Sequence, residues 1–158
     1  MKKYIVIIFC VILLISGCSS PVKDDLLNYF NSQLPPIMEL EEKAIEEYSS
    51  IISKEDYKYE TLYNSLVKTI IPNYKDFVEN LEKIAVETEE VESLNEMYTK
   101  GANMQLEAFT LLKEGIKEKN KEKTNKSNEL FKEGRKHITK FKKRMVEMAD
   151  EYNLEYEL

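Results

Sequence analysis

The chain has 158 residues and a formal net charge of −6, from 29 acidic and 23 basic side chains. This length fits one ordinary domain that can bury most of its apolar surface. The acidic balance and the absence of a nucleic-acid-binding motif in the sequence argue against a nucleic-acid partner. A single histidine, His137, is too few for a histidine zinc site or a ferritin-like di-metal site, so we expect no metal and no cofactor.

The chain begins with the parts of a secretory signal. Two lysines precede an apolar run that reaches Ile15, and the sequence Ile-Ser-Gly-Cys occupies positions 15–18. These four residues resemble the lipobox of bacterial lipoproteins, in which a diacylglycerol is attached to the cysteine and the leader is cut just before it. An uncleaved transmembrane anchor is the alternative, but the apolar run is shorter than the ~20 residues that a spanning helix needs.

The lipobox resemblance implies a signal peptide over residues 1–17, lipidation at Cys18 and a lipidated tether over residues 18–24. It places the mature protein at the cell membrane, lipid-anchored on the extracytoplasmic face, with the membrane as its first partner. The other cysteine, Cys10, lies in the leader, so the mature domain has no thiol for a disulfide or for catalysis.

The sequence beyond the tether predicts helices only. Glutamate and lysine are abundant, glycine is scarce, and apolar residues recur every three or four positions rather than every second one. Four stripes of this kind are typical of amphipathic helices. The first stripe runs over residues 27–51 and includes Leu27 and Phe30; the others run over residues 62–84, 94–116 and 130–152.

Polar stretches separate the four stripes. Ser53–Asp56 predicts a turn with Ser53 as a capping residue, and Thr88–Glu90 can end one helix and start the next. Asn120–Asn125 contains no apolar residue and predicts the third link. Links this short place consecutive helices antiparallel to each other.

Three prolines interrupt the first two stripes. Pro35-Pro36 and Pro72 predict kinks, because proline lacks a backbone donor and clashes with the preceding turn. The stripes continue in phase across the prolines, which favours kinked long helices over extra loops. We therefore predict an all-α, antiparallel up-down-up-down four-helix bundle over residues 25–153, with long, proline-kinked helices and a C-terminal tail at 154–158.

Charge is unevenly distributed along the mature chain. Residues 113–144 carry 13 basic and 5 acidic side chains, although the chain as a whole is acidic. If Cys18 is at the membrane and the helices leave and return in turn, the link between the third and fourth helices is membrane-distal. A field of one sign there selects anionic partners, such as a cell-wall polymer or an acidic envelope protein. The candidate contact residues are Lys113, Lys117, Lys119, Lys121, Lys123 and Lys126.

The helical part is similar to the small, largely uncharacterised envelope lipoproteins of Gram-positive bacteria, some of which are described as cell-wall-binding. Only Cys18 is carried over from this resemblance as a functional residue. The sequence has no Gly-rich phosphate loop and no nucleophile elbow, and we expect no enzyme. The predicted function is a membrane-anchored helical interaction module that acts through its basic tip. The alternative is a carrier or sensor of a small apolar ligand, in a cavity opened by the prolines and the small core residues Ala102 and Gly134.

Overall fold

The computed structural model describes residues 20–154, so Cys18, the leader 1–17 and residues 155–158 lie outside the described residues. The prediction of an all-helical protein is confirmed, and the described part of the chain contains no β-strand. The helices are α1 Pro21–Asn28, α2 Pro35–Ile52, α3 Tyr59–Ser65, α4 Ile71–Leu81, α5 Glu89–Glu118 and α6 Lys121–Glu151. A π-helical turn at Tyr29–Gln33 joins α1 to α2, and a second one at Leu66–Ile70 joins α3 to α4.

Each π-helical turn directly precedes a proline-led helix. Pro35 is the first residue of α2, and Pro72 is the second residue of α4. A proline ring clashes with the carbonyl of the preceding turn and leaves that carbonyl without its usual donor. The π-turn widens the helix by one residue, as in the hydrogen bond from the Leu34 N–H to the Tyr29 carbonyl at 3.0 Å. The chain therefore passes both prolines without a loop.

The first π-turn changes which side chains face the core. The sequence predicted Leu27 and Phe30 as core residues, but Leu26 and Tyr29 are fully buried, while Leu27 is 37% exposed. An α-helix has 3.6 residues per turn, so one inserted residue rotates the preceding segment by about a quarter of a turn relative to α2. The expectation that the first stripe continues in phase was therefore wrong.

The link between α5 and α6 is shorter than predicted. α5 ends at Glu118, and residues 121–125 of the predicted polar link already belong to α6. Lys119 adopts the left-handed conformation, with φ at 52°, and the Asn120 N–H donates to the Gly115 carbonyl at 2.8 Å. The Asn120 side chain then accepts hydrogen bonds from the first turn of α6. A helix C-cap and an N-cap in succession make a turn of two residues.

Other predicted boundaries also shift by a few residues. Ser53 follows the last residue of α2 and is the C-cap of that helix, and the next helix begins only at Tyr59. Thr88 is the residue before α5, as predicted, but α4 already ends at Leu81. α1 begins at Pro21, inside the predicted tether 18–24, because proline at the first helical position loses no hydrogen bond.

α5 and α6 pack against each other along their length. The closest approach is at Gly101 and Gly134: a Cβ added at Gly134 would lie 2.9 Å from the Gly101 carbonyl oxygen and 2.9 Å from Cγ of Gln105. Gly134 therefore serves close helix packing. The prediction that Gly134 opens a cavity was wrong, because α5 occupies the space that a side chain would fill.

The core lies where α2, α4 and α5 meet. α4 packs against both α2 and α5, and the buried rings of Tyr74, Phe77 and Phe109 form edge-to-face contacts there. α6 packs mainly on α5. Within the described residues, α2 and α6 do not pack closely against each other along their length. The space between them is an open groove.

Candidate ligand-binding groove

The groove between α2 and α6, here called the α2–α6 groove, consists of two adjoining chambers. The first chamber has a volume of about 870 Å³ and the second about 610 Å³. Met38 and Glu41 from α2 and Ile138 and Lys142 from α6 line both chambers, so these four side chains mark the junction. A groove of this size with apolar walls is the usual form of a ligand site.

The first chamber lies at the N-terminal end of the groove. One wall comes from the end of α1, the π-turn and the start of α2, and the other comes from the C-terminal half of α6. Its walls are mainly apolar, because Leu27, Phe30 and Leu34 face Met145 and Ala149 across the opening. The exposed side chains of Lys142 and Lys143 form part of its rim, and Leu154 also lines it.

The second chamber lies further along α2 and has an aromatic floor. Tyr48 stacks on Phe131 with ring centroids 5.7 Å apart, and Tyr48 also meets Phe109 edge-to-face at 5.2 Å. This aromatic cluster bridges α2 to the α5–α6 pair. Exposed apolar side chains continue along the α2 edge, where Met38 is 45% and Ile52 is 40% exposed.

A carboxylate lies at the junction of the two chambers. The Tyr98 hydroxyl donates to Glu41 Oε2 at 2.5 Å, and the Tyr74 hydroxyl lies 3.5 Å from Glu41 Oε1. Tyr74 also contacts Gln105 Oε1 at 3.3 Å. Burial raises the pKa of Glu41, while the hydrogen bond from Tyr98, the charge of Lys142 and the Tyr74 hydroxyl oppose that rise. Glu41 is thus an oriented carboxylate in a groove whose walls are mainly apolar.

The tyrosines that hold Glu41 remain neutral donors. Burial, followed by the nearby Glu41 carboxylate, raises the pKa of Tyr98 and of Tyr74 far above the usual tyrosine range. Tyr98 also stacks on Phe141 of α6 at a centroid distance of 4.4 Å. Because Tyr98 and Tyr74 come from α5 and α4, the carboxylate of α2 is fixed by two neighbouring helices and not by α6.

The six lysines predicted as contact residues lie at or beside the α5–α6 turn. Lys117, Lys119, Lys121 and Lys126 are exposed, and Lys113 is half-buried. Lys123 pairs with Glu114 at 2.9 Å and with Glu118 at 3.0 Å, and these hydrogen bonds raise its pKa. Part of the positive charge at this tip is therefore neutralised within the protein, which the count of charges along the sequence did not reveal.

Sequence reasoning missed the groove residues, although one signal pointed to Glu41. Glu41 lies seven residues after Leu34 and seven before Tyr48, so it falls on the apolar face of the first stripe. A carboxylate on such a face needs hydrogen-bond partners. The regular apolar spacing passes through the neighbouring Leu40, which hides Glu41, and the partners on α4 and α5 depend on tertiary packing.

Three further observations limit the chemistry of the protein. Among residues 20–154, no group of three or more His, Cys, Asp or Glu side chains is placed to bind a metal ion. None of the helices that the structure describes combines the length and apolar character needed to cross a bilayer. His137 is half-buried on α6, where burial and the charge of Lys100 lower its pKa.

The lipobox-like leader and the helical domain behind it define a bacterial lipoprotein, a class of protein that associates with membranes through a lipid anchor. A match to a family model is more specific: the chain belongs to the family described as EMYY-motif containing lipoprotein, and the match covers residues 1–156. No curated protein and no solved structure matches the chain.

A short segment of α5 is similar to the four letters in the family description. Glu96-Met97-Tyr98-Thr99 is the one stretch of the chain that matches three of the four letters in order, with Thr99 in the last position. Tyr98 of this stretch is the residue that donates to Glu41 and stacks on Phe141. Tyr98 also lines the first chamber of the α2–α6 groove.

Proposed function

We propose that the protein is a non-enzymatic binding lipoprotein, held on the extracytoplasmic face of the cell membrane by a lipid on Cys18. Its α2–α6 groove binds a ligand with an extended apolar part. This proposal develops the alternative of a carrier or sensor of a small apolar ligand, but its site is the α2–α6 groove and not a cavity in the bundle core. The observation that carries it is the pair of apolar chambers that meet at Glu41 and Lys142.

The dimensions and chemistry of the groove support this function. Both chamber volumes, 870 and 610 Å³, fall within the range of roughly 300–1,000 Å³ that is typical of small-molecule sites. Apolar walls supply affinity through burial, while one oriented carboxylate and one lysine fix the position of a polar group. Exposed Leu27, Met38 and Ile52 would otherwise remain in water.

We also infer an up-down-up-down order for the four helical stretches, namely residues 21–52, residues 59–81, α5 and α6. Contacts between consecutive stretches support this order, because the residue number rises on one stretch as it falls on the next. The pairs are Glu47 with Ser65 and Glu41 with Tyr74, then Tyr74 with Gln105 and Leu81 with Asn95, then Gly101 with Gly134 and Gly115 with Thr124.

The groove can be tested with the neutral fluorescent probe N-phenyl-1-naphthylamine, whose emission rises in apolar surroundings. The chain from residue 18 onward with Cys18→Ser contains every residue of the core and needs no detergent. We expect saturable binding to this protein. Met38→Asp introduces a charge at the junction of the chambers and should weaken binding by about fivefold or more, because an ionised group resists burial beside an apolar ligand.

Val67→Asp is the matched control for this experiment. Val67 is 44% exposed, as Met38 is 45% exposed, but it does not line the groove. The control should bind the probe as the parent protein does. If the parent protein binds no probe, or if both variants lose affinity equally, the groove is not the ligand site.

A second candidate function is contact with an anionic envelope polymer through the α5–α6 turn. Lys117, Lys119, Lys121 and Lys126 are exposed there and form no ion pair within 4 Å among the described residues. The inferred helix order puts this turn at the opposite end from the N-terminus of α1, facing away from the anchor. Such a tip suits a cell-wall polymer or an acidic envelope protein.

Co-sedimentation with isolated cell walls tests the second candidate. Reversing Lys117, Lys121 and Lys126 to glutamate should abolish retention at low salt, and Lys123 is left in place because it already pairs with Glu114. Reversing Lys43, Lys68 and Lys83, which are exposed elsewhere, makes the same change in net charge and should leave retention in place. Equal retention of both triple variants would rule this contact out.

A further inference from the structure

We propose that the ligand of the α2–α6 groove is a phospholipid with an anionic headgroup, taken from the membrane that holds the protein. One acyl chain occupies the first chamber, and the headgroup lies at its rim beside Lys142 and Lys143. This inference rests on the proposed function of the groove and names its ligand class. Three observations carry it: the distance from the anchor, the apolar walls and the charge of the rim.

The first chamber lies close to the predicted anchor along the chain. Only Ser19 and Ser20 separate Cys18 from the first residue of α1, and three extended steps span at most ~11 Å. Six helical residues from Pro21 to Leu27, on the chamber wall, add ~9 Å. Leu27 therefore lies within ~20 Å of an acylated Cys18. A hydrogen bond from Lys23 Nζ to the Asn153 carbonyl, at 3.4 Å, places the end of α6 beside α1 at the same level.

The charged residues that line the first chamber favour an anion. They are Glu41, Lys142 and Lys143. Glu41 already accepts a hydrogen bond from the Tyr98 hydroxyl, so the two lysines are the charged groups left to contact a ligand. Lys143 pairs with Glu147 at 3.4 Å, but its side chain is 79% exposed, and an exposed pair of this kind is weak enough to exchange for a phosphate. Basic residues near a membrane surface each add about 1 kcal/mol to binding of anionic lipid, which is about fivefold.

Lipid extraction from vesicles tests the inference. The chain from residue 18 with Cys18→Ser is mixed with vesicles that contain acyl-labelled phosphatidylglycerol or acyl-labelled phosphatidylcholine, and labelled lipid bound to protein is measured. We expect phosphatidylglycerol to be extracted about fivefold more than phosphatidylcholine, or more. Lys142→Glu with Lys143→Glu should remove this preference, so that the two lipids are extracted equally.

The control reverses Lys132 and Lys140, which are exposed on the same helix but do not line the groove. It has the same net charge as the test variant, so it corrects for general attraction to anionic vesicles, and it should keep the preference. Equal extraction of both lipids, or a preference that survives at the double Lys142, Lys143 variant, overturns the inference. If the protein binds the probe but extracts neither lipid, the lipid inference fails and the proposed function stands. If it neither binds the probe nor extracts lipid, the inference and the proposed function both fail.

Discussion

Asp25, in α1, caps the N-terminus of α5 at Thr88, the residue before that helix. Its Oδ2 atom accepts three hydrogen bonds: from the Thr88 N–H at 2.9 Å, the Thr88 hydroxyl at 2.7 Å and the Glu87 N–H at 2.9 Å. Asp25 is 3% exposed, and Thr88 makes no capping hydrogen bond with its own side chain. The carboxylate of α1 instead holds the two residues that lead into α5. The cap fixes α1 to α5, which with α6 forms the longest helical pair among residues 20–154.

Replacing this cap should destabilise the whole domain. We expect Asp25→Ala to lower the free energy of unfolding by about 2–3 kcal/mol, because two part-buried N–H groups and the Thr88 hydroxyl lose their shared acceptor beside a helix N-terminus. Urea denaturation followed by circular dichroism measures the change. Glu87→Ala, which removes an exposed acid and keeps the Glu87 N–H, should cost much less. Equal losses for both variants would contradict the role of the cap.

The raised pKa of Glu41 predicts a pH-dependent stability. Burial raises this pKa above the ordinary value of 4.5, so the folded state holds the Glu41 proton more tightly than the unfolded chain does. The contribution of Glu41 to stability is therefore complete below pH 4.5 and is lost as the pH rises through the folded-state pKa. The difference in unfolding free energy between Glu41→Gln and the wild type should therefore favour the variant more at pH 7 than at pH 4.

Urea titrations at several pH values measure the difference in unfolding free energy between Glu41→Gln and the wild type. Glu42→Gln is the matched control, because it removes the same charge from the adjacent, exposed position. A difference that stays constant for Glu41→Gln, or one that grows toward low pH, would mean that the Glu41 carboxylate is not desolvated in the folded protein.

The close approach at Gly134 predicts a penalty for any side chain there. A Cβ would lie 2.9 Å from the backbone oxygen of Gly101, so α5 and α6 must separate. Overpacking costs about 1–3 kcal/mol, and the better helix propensity of alanine returns about 1 kcal/mol. Gly134→Ala should therefore lower the unfolding free energy by up to about 2 kcal/mol, and Gly134→Leu by more. A stabilised Gly134→Ala variant would show that the helices adjust freely.

Helix formation and most of one core stripe, from Leu62 to Leu81, could be predicted from local spacing, whereas Ile84 at the end of that stripe is half-buried beyond α4. Leu62, Leu66, Ile70, Tyr74, Phe77 and Leu81 are all buried, as their stripe predicts. Their first spacings are four residues each, longer than the 3.6-residue helical repeat, and the π-turn at Leu66–Ile70 absorbs the excess. In the first stripe the same kind of turn instead moved the core face from Leu27 to Leu26, because the period there gave no sign of an inserted residue.

The groove could not be predicted in this way, because periodicity identifies an apolar face and not the element that covers it. Met38 and Ile138 both lie on apolar faces, and a closed bundle would bury them against each other. In the structure, the close contact of α6 with α5 at Gly134 leaves the α2 side open. Which of two apolar faces stays uncovered depends on how all the helices pack together, beyond the reach of local spacing.

The left-handed conformation of Lys119 predicts a stabilising substitution. A side chain at φ 52° is strained, and glycine adopts this conformation without a Cβ clash. Lys119→Gly should raise the unfolding free energy by about 0.5 kcal/mol, after the entropy cost of glycine in the unfolded chain. Lys121→Gly, in the first turn of α6, should lower it instead. Lys119 is also one of the exposed lysines at the α5–α6 turn. If the substitution changes stability alone, the retention of Lys119→Gly on cell walls should equal that of the wild type.

The lipid anchor gives a prediction about processing that is independent of the fold. In Cys18→Ala the lipobox lacks its acceptor thiol, so no diacylglycerol can be attached, and a cleavage that depends on that modification should fail. Immunoblots of membrane and soluble fractions should then show an uncut precursor, and metabolic labelling with palmitate should be lost. Ser19→Ala, one residue later, should be labelled and cut as the wild type is. A Cys18→Ala protein of mature size in the membrane fraction would mean that another part of the chain provides the anchor, and Leu27 would then no longer be held within reach of the bilayer by Cys18.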